Sequence, residues 1–118
     1  KRGWHLDGLT KDDQINPNQS VIILPLITTI NLGGGGTALL PGSHKMINDW
    51  ILSDKKENIF DKINQLVNEN KKKIIETNGT AGDILLLHPH LIHSTSNALV
   101  NQPIRITFNL DTQMIDRI

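Results

Sequence analysis

Apolar residues in this chain fall into short runs separated by turn formers, and the runs predict strands. Residues 20–32 are rich in Val, Ile, Leu and Thr and predict a buried strand. It should bend at Pro25, which has no N–H to donate to a ladder. Gly33 to Gly36 predict a turn, residues 37–40 a short strand, and Pro41-Gly42 its end. Further on, residues 74–77 predict a strand closed by Asn78-Gly79. Gly82-Asp83 then lead into the continuous apolar run 84–87, which Pro89 breaks. Residues 91–95 resume an extended path and 96–103 read as a loop. Residues 104–111 alternate: Ile104, Ile106, Phe108 and Leu110 face one way, and Arg105, Thr107, Asn109 and Asp111 the other.

One stretch has a different period. Residues 43–52 predict a short helix capped by Ser43. A second helix should start at Ser53 or Asp54, with Asp54 and Glu57 in capping-box spacing. Within it Ile59, Ile63, Leu66 and Val67 recur at helical spacing and predict one buried stripe. Lys71-Lys72-Lys73 suit the negative end of its dipole and read as a solvated terminus. Residues 9–19 are polar, contain Pro17 and read as a loop. Many short strands with one helical insertion predict an all-β sandwich or barrel carrying one or two inserted helices.

The chain of 118 residues suits one domain with a modest core. Its 12 Lys and Arg balance 12 Asp and Glu, so no charge excess points to nucleic acid or to a membrane surface. Cysteine is absent, which excludes disulfides, thiolate metal sites and thiol nucleophiles and fits a reducing, cytoplasmic setting. No apolar run reaches the roughly 18 residues of a membrane span. The first motif begins almost at once after Lys1, and the chain is expected to be the later part of a longer protein.

Its candidate chemistry lies at opposite ends. His5 and Asp7 are two residues apart, so on an extended segment both project from one face. His93 is the best third ligand, and Thr95 shares its face by the same parity. Two imidazoles and a carboxylate can hold one face of an iron(II) ion and leave three positions open. Arg105 can clamp a carboxylate through two parallel hydrogen bonds. Its polar row suits the inside of a ligand-holding barrel or the solvent, and the strand alone leaves both readings open. Gly36 to Lys45 lacks the spacing of a phosphate loop. In it His44 is a possible ligand, with a structural hydrogen bond the favoured reading.

In order and spacing, His5-x-Asp7, Gly36-x-x-x-x-Pro41-Gly42-Ser43-His44-Lys45, Gly82-Asp83 and His93…Arg105 resemble the phytanoyl-CoA dioxygenase family of iron(II)/2-oxoglutarate oxygenases. The resemblance runs from Trp4 to about Leu110. It implies a double-stranded β-helix, a jelly-roll or cupin-like barrel, incomplete at its N-terminal side. It implies iron(II) held by His5, Asp7 and His93, with Arg105 and Thr95 binding the co-substrate 2-oxoglutarate. The reaction implied is hydroxylation of a small organic substrate by O₂, with decarboxylation of 2-oxoglutarate to succinate. Related halogenases leave the Asp7 position without a carboxylate, so Asp7 favours hydroxylation. The substrate is not legible.

Two other readings compete. Gly82, His88 and His90 match the opening of the cupin metal motif, although its glutamate is absent and Ser94 and Thr95 stand there. The chain could also be a β-sandwich binding module without catalysis, because fold does not fix function. That second reading predicts no clustering of His5, Asp7 and His93.

Overall fold

Alternation along residues 21–24 sets the first sheet. Ile22 and Leu24 are buried while Val21 and Ile23 are half-exposed, so β1 (Gln19–Pro25) presents one face to the core. β1 pairs antiparallel with β4 (Ile84–Leu87), Ile22 opposite Leu87 and Leu24 opposite Leu85. On its other edge it pairs antiparallel with β6 (Leu110–Gln113). A second antiparallel sheet is built around β2 (Thr37–Leu39), flanked by β3 (Ile75–Glu76) and β5 (His93–Thr95). The computed structural model describes residues 3–53 and 57–114.

Ile22, Leu24, Leu39 and Leu87 come from both sheets and form one shared core. On its far side the second sheet is covered by α1 (Ser43–Leu52) and α2 (Ile59–Glu69). There Ile47, Ile63, Leu66 and Val67 meet Leu40, Ile92 and Leu6 in a second core. Each fully buried aliphatic side chain of this kind contributes roughly 1.5–3 kcal/mol. The same parity fixes the functional side: Leu6 and Ile92 point into the helical core, so His5, Asp7 and His93 point the other way.

α1 forms over residues 43–52 as its pattern predicts, whereas α2 starts only at Ile59, later than the expected start at Ser53 or Asp54, and both caps differ from expectation. Gly42, at φ 79°, precedes α1. Ser43 is wholly buried instead of capping, and its Oγ accepts a hydrogen bond from Ile92 N–H at 2.8 Å. Asn58 caps α2, its side chain accepting from Phe60 N–H at 2.8 Å. Ser53 instead ends α1, and Asp54 lies outside the described residues. Lys71–Lys73 form an exposed 3-10 turn after α2, as a solvated terminus would.

β4 matches the expected run 84–87, but the other strands are shorter than their sequence pattern. β1 stops at Pro25, and Leu26 and Ile30 continue only as single bridges to Thr107 and Gly79. The stretch 104–111 is a ladder only from Leu110 onward. Its irregularity follows from Pro25, which cannot donate: Thr107 Oγ and Phe108 N–H both bond to the Pro25 carbonyl. Ile27 and Thr28 N–H both converge on the Ile106 carbonyl. Arg105 and Thr107 border both cavities, whereas Ile104, Ile106 and Leu110 are exposed and Phe108, also exposed, borders one of them. Among the described residues the two sheets do not close into a barrel.

Candidate metal centre

The Trp4 to Gly8 segment lies beside β5. His5 N–H bonds to the His93 carbonyl at 3.0 Å and His93 N–H to the His5 carbonyl at 3.1 Å, a reciprocal antiparallel bridge. Gly8 N–H to the Pro89 carbonyl, at 3.1 Å, continues the contact. Two residues distant in sequence therefore become direct cross-strand neighbours, with ring centroids 4.4 Å apart. Asp7, two positions from His5, falls on the same face. Its Oδ1 is 3.5 Å from His5 Nε2 and its Oδ2 is 3.0 Å from His93 Nε2. Among the described residues, one group of donor atoms converges closely enough to hold a metal ion, and it is His5, Asp7 and His93.

The chemistry of these donors fits a cation. His5 Nδ1 is 2.7 Å from the Gly3 carbonyl oxygen, and His93 Nδ1 is 2.9 Å from that of Leu91. A carbonyl only accepts, so each Nδ1 carries a proton. In a neutral ring that leaves Nε2 as a lone pair aimed at the carboxylate. Two imidazole lone pairs and a carboxylate, with 9 % of the Asp7 side chain exposed, repel one another unless positive charge is supplied. Protonated rings can supply it, and so can an ion at the common point. Ligand atoms about 2.1 Å from an ion and at right angles are about 3 Å apart, near the 3.5 and 3.0 Å that separate the Asp7 oxygens from the two rings. The Asp7 carboxyl responds to the same charges. Burial alone raises its pKa, but when both rings also carry a proton at Nε2, their hydrogen bonds and charge outweigh burial and hold it well below the usual carboxylate range.

A cavity of about 150 Å³ adjoins the triad, walled by His5, His93, Leu24, Thr37, Thr95 and Arg105. Arg105, Thr37, Thr107 and Leu24 also border a second cavity of about 240 Å³ that runs toward Thr77 and Asp83. Arg105 thus stands between the two. Among the described residues no carboxylate lies within ion-pair distance of it. On another side of His5 and Asp7 opens a cavity of about 470 Å³, bordered by Trp4, Leu9, Phe60, Asn109 and Asp111. Trp4 also packs against the helical core.

Of the residues singled out in the sequence, His5, Asp7 and His93 meet at one point. Arg105 and Thr95 line the cavity beside them, with Thr95 toward its exposed side. His88 and His90 do not join this group. His90 N–H donates to His88 Nδ1 at 3.0 Å, and His90 Nδ1 is tied to Asn48 Oδ1 at 2.7 Å. His44 packs its ring 5.1 Å from that of His88, a ring contact where a hydrogen bond was the favoured reading. Thr37, Asn109 and Phe60 were missed. Asn109 was accessible by parity from Arg105, whereas nothing local marks Thr37 or Phe60.

Two imidazoles and one carboxylate meeting on a small antiparallel β scaffold could hold one metal ion, and they are the donor set that mononuclear non-haem iron enzymes use. The family model described as Phytanoyl-CoA dioxygenase (PhyH) matches residues 1–106 of the 118, and the chain belongs to that family. At the level of the family this implies oxygenase chemistry. No curated protein and no solved structure matches the chain.

Proposed function

We propose that this chain carries the catalytic centre of an iron(II)- and 2-oxoglutarate-dependent dioxygenase that hydroxylates a small organic substrate, on a double-stranded β-helix scaffold. The observation that carries the reading is the meeting of His5, Asp7 and His93 beside a cavity bordered by Arg105. His5 Nε2, His93 Nε2 and the Asp7 carboxylate would hold the iron, with each ring fixed by its Nδ1–H on a backbone carbonyl. When bound, iron would supply the O₂ activation that couples decarboxylation of 2-oxoglutarate to C–H hydroxylation.

The chain's own residues do the positioning. Arg105 pairs with the distal carboxylate of 2-oxoglutarate in a two-pronged contact. Thr95 Oγ and the neighbouring Thr37 hydroxyl offer further donors along the cavity wall. Leu24 and Phe108 supply the apolar part of a wall that is otherwise polar. The primary substrate approaches through the larger cavity beside His5 and Asp7.

The test has two readouts. Manganese(II) should bind the protein in calorimetry, and His93→Ala or Asp7→Ala should abolish both that binding and succinate release from 2-oxoglutarate. Unchanged succinate production in both variants would refute the assignment.

A further inference from the structure

The run Gly33-Gly34-Gly35-Gly36 connects the first-sheet extension to β2. Gly35 stands at φ +81°, and a Cβ there would lie 3.2 Å from Arg105 Nε and 3.0 Å from Ala98 N. The bare Cα of Gly35 is therefore one wall against which the Arg105 side chain rests. The wall is itself pinned. The Glu76 carboxylate, through Oε1, accepts from Gly35 N–H at 3.2 Å and Gly36 N–H at 3.3 Å. Glu76 belongs to β3, opposite Ala38 of β2, so its place is set by the sheet. Ser96 closes the far side, its N–H donating to the Gly36 carbonyl at 3.1 Å.

We propose that Gly35, held by Glu76, is a positioning element for Arg105 and so sets the affinity of the site for 2-oxoglutarate. This rests on the oxygenase reading above and adds residues that touch neither metal nor co-substrate. Glu76 spends its carboxylate on two backbone N–H groups and lies outside ion-pair distance of Arg105, so the guanidinium stays available for an anionic ligand. A methyl at position 35 would press on Nε and displace the fork that a bidentate pair requires.

Gly33 provides the control. It has nearly the same backbone, φ +78°, but a Cβ there would meet only the flexible side chain of Leu99. Both glycine-to-alanine changes therefore carry similar backbone strain, and only one reaches Arg105. Calorimetric titration of 2-oxoglutarate into the manganese-loaded protein should show Kd raised about tenfold or more by Gly35→Ala. Gly33→Ala should change it less than threefold. Glu76→Ala should weaken binding as Gly35→Ala does. Glu76→Gln, which keeps an oxygen acceptor, should restore most of it. Equal effects of Gly33→Ala and Gly35→Ala, in a protein that binds 2-oxoglutarate, would overturn the positioning role alone. A wild-type protein that binds manganese but takes up no 2-oxoglutarate would overturn the oxygenase reading and this role with it.

Discussion

At the scale of the residue, Arg105 shows how a side chain's task follows from which way its strand faces. Its apolar neighbours Ile104 and Ile106 are turned outward, so the guanidinium borders the cavities between the sheets. A planar guanidinium presents two parallel N–H donors to a carboxylate, whereas an ammonium offers a single point charge. Arg105→Ala should therefore raise the KM for 2-oxoglutarate by two orders of magnitude or so, with a smaller change in kcat. Arg105→Lys should recover only part of the loss, since the charge survives and the fork does not. Steady-state kinetics at varied 2-oxoglutarate would decide it, and equal effects of the two substitutions would argue against a bidentate clamp.

At the scale of the element, the helices are held by their buried stripe more than by their ends. Ile63 is wholly buried in the core cluster that also holds Leu40, Ile47 and Ile92, whereas the cap at Asn58 is solvent-exposed. Ile63→Ala should cost roughly 2–5 kcal/mol of stability. Asn58→Ala should cost about 1 kcal/mol. Urea unfolding of both variants checks the order, and a larger loss from the cap would contradict it. This contrast also explains what the sequence made legible. Periodicity is written in residue type, so the stripe of Ile59, Ile63, Leu66 and Val67 was readable, as was the apolar run of β4. Caps depend on where the chain turns, and Asp54-x-x-Glu57 offered as good a local pattern as Asn58 did. Ser43 had the right type for a cap but was claimed by Ile92, 49 residues away. Strand lengths failed for a similar reason, because the ladder beside Pro25 is decided by its partner at Thr107 and Phe108. The triad was legible in pieces, His5 with Asp7 by parity and His93 by order along the chain. The bridge that joins the pieces is non-local, as are Thr37 and Phe60 in the cavity walls.

At the scale of the whole molecule, a second histidine group ties the start of α1 to the connection between β4 and β5. The rings of His44 and His88 are 5.1 Å apart and those of His88 and His90 are 5.3 Å apart. Although the side chain of His88 is largely exposed, partial desolvation lowers its pKa below the ordinary 6.5, and the charge of His44 adds to it. His90 is lowered by burial first, then by His88 and His44. Both rings therefore hold protons less tightly in the folded protein than in the unfolded chain. Between the folded and unfolded values the unfolded chain binds more protons, so stability rises with pH across that window and falls as the pH drops below 6.5. The Asp7 carboxyl works in a separate range. Its depressed pKa stabilises the fold above the ordinary value of 3.8, and that contribution is lost only in stronger acid. Loss of stability between pH 7 and 5 is therefore assigned in part to His88 and His90. Asparagine is the fitting replacement, because at position 88 its oxygen can still accept from the backbone two residues on and at position 90 its amide can still donate to Asn48. Urea midpoints measured at several pH values for wild type and the His88→Asn, His90→Asn double variant should show the steeper fall with acidification below pH 6.5 in the wild type. Identical slopes in the two proteins would mean that the lowered histidines carry no part of the acid sensitivity.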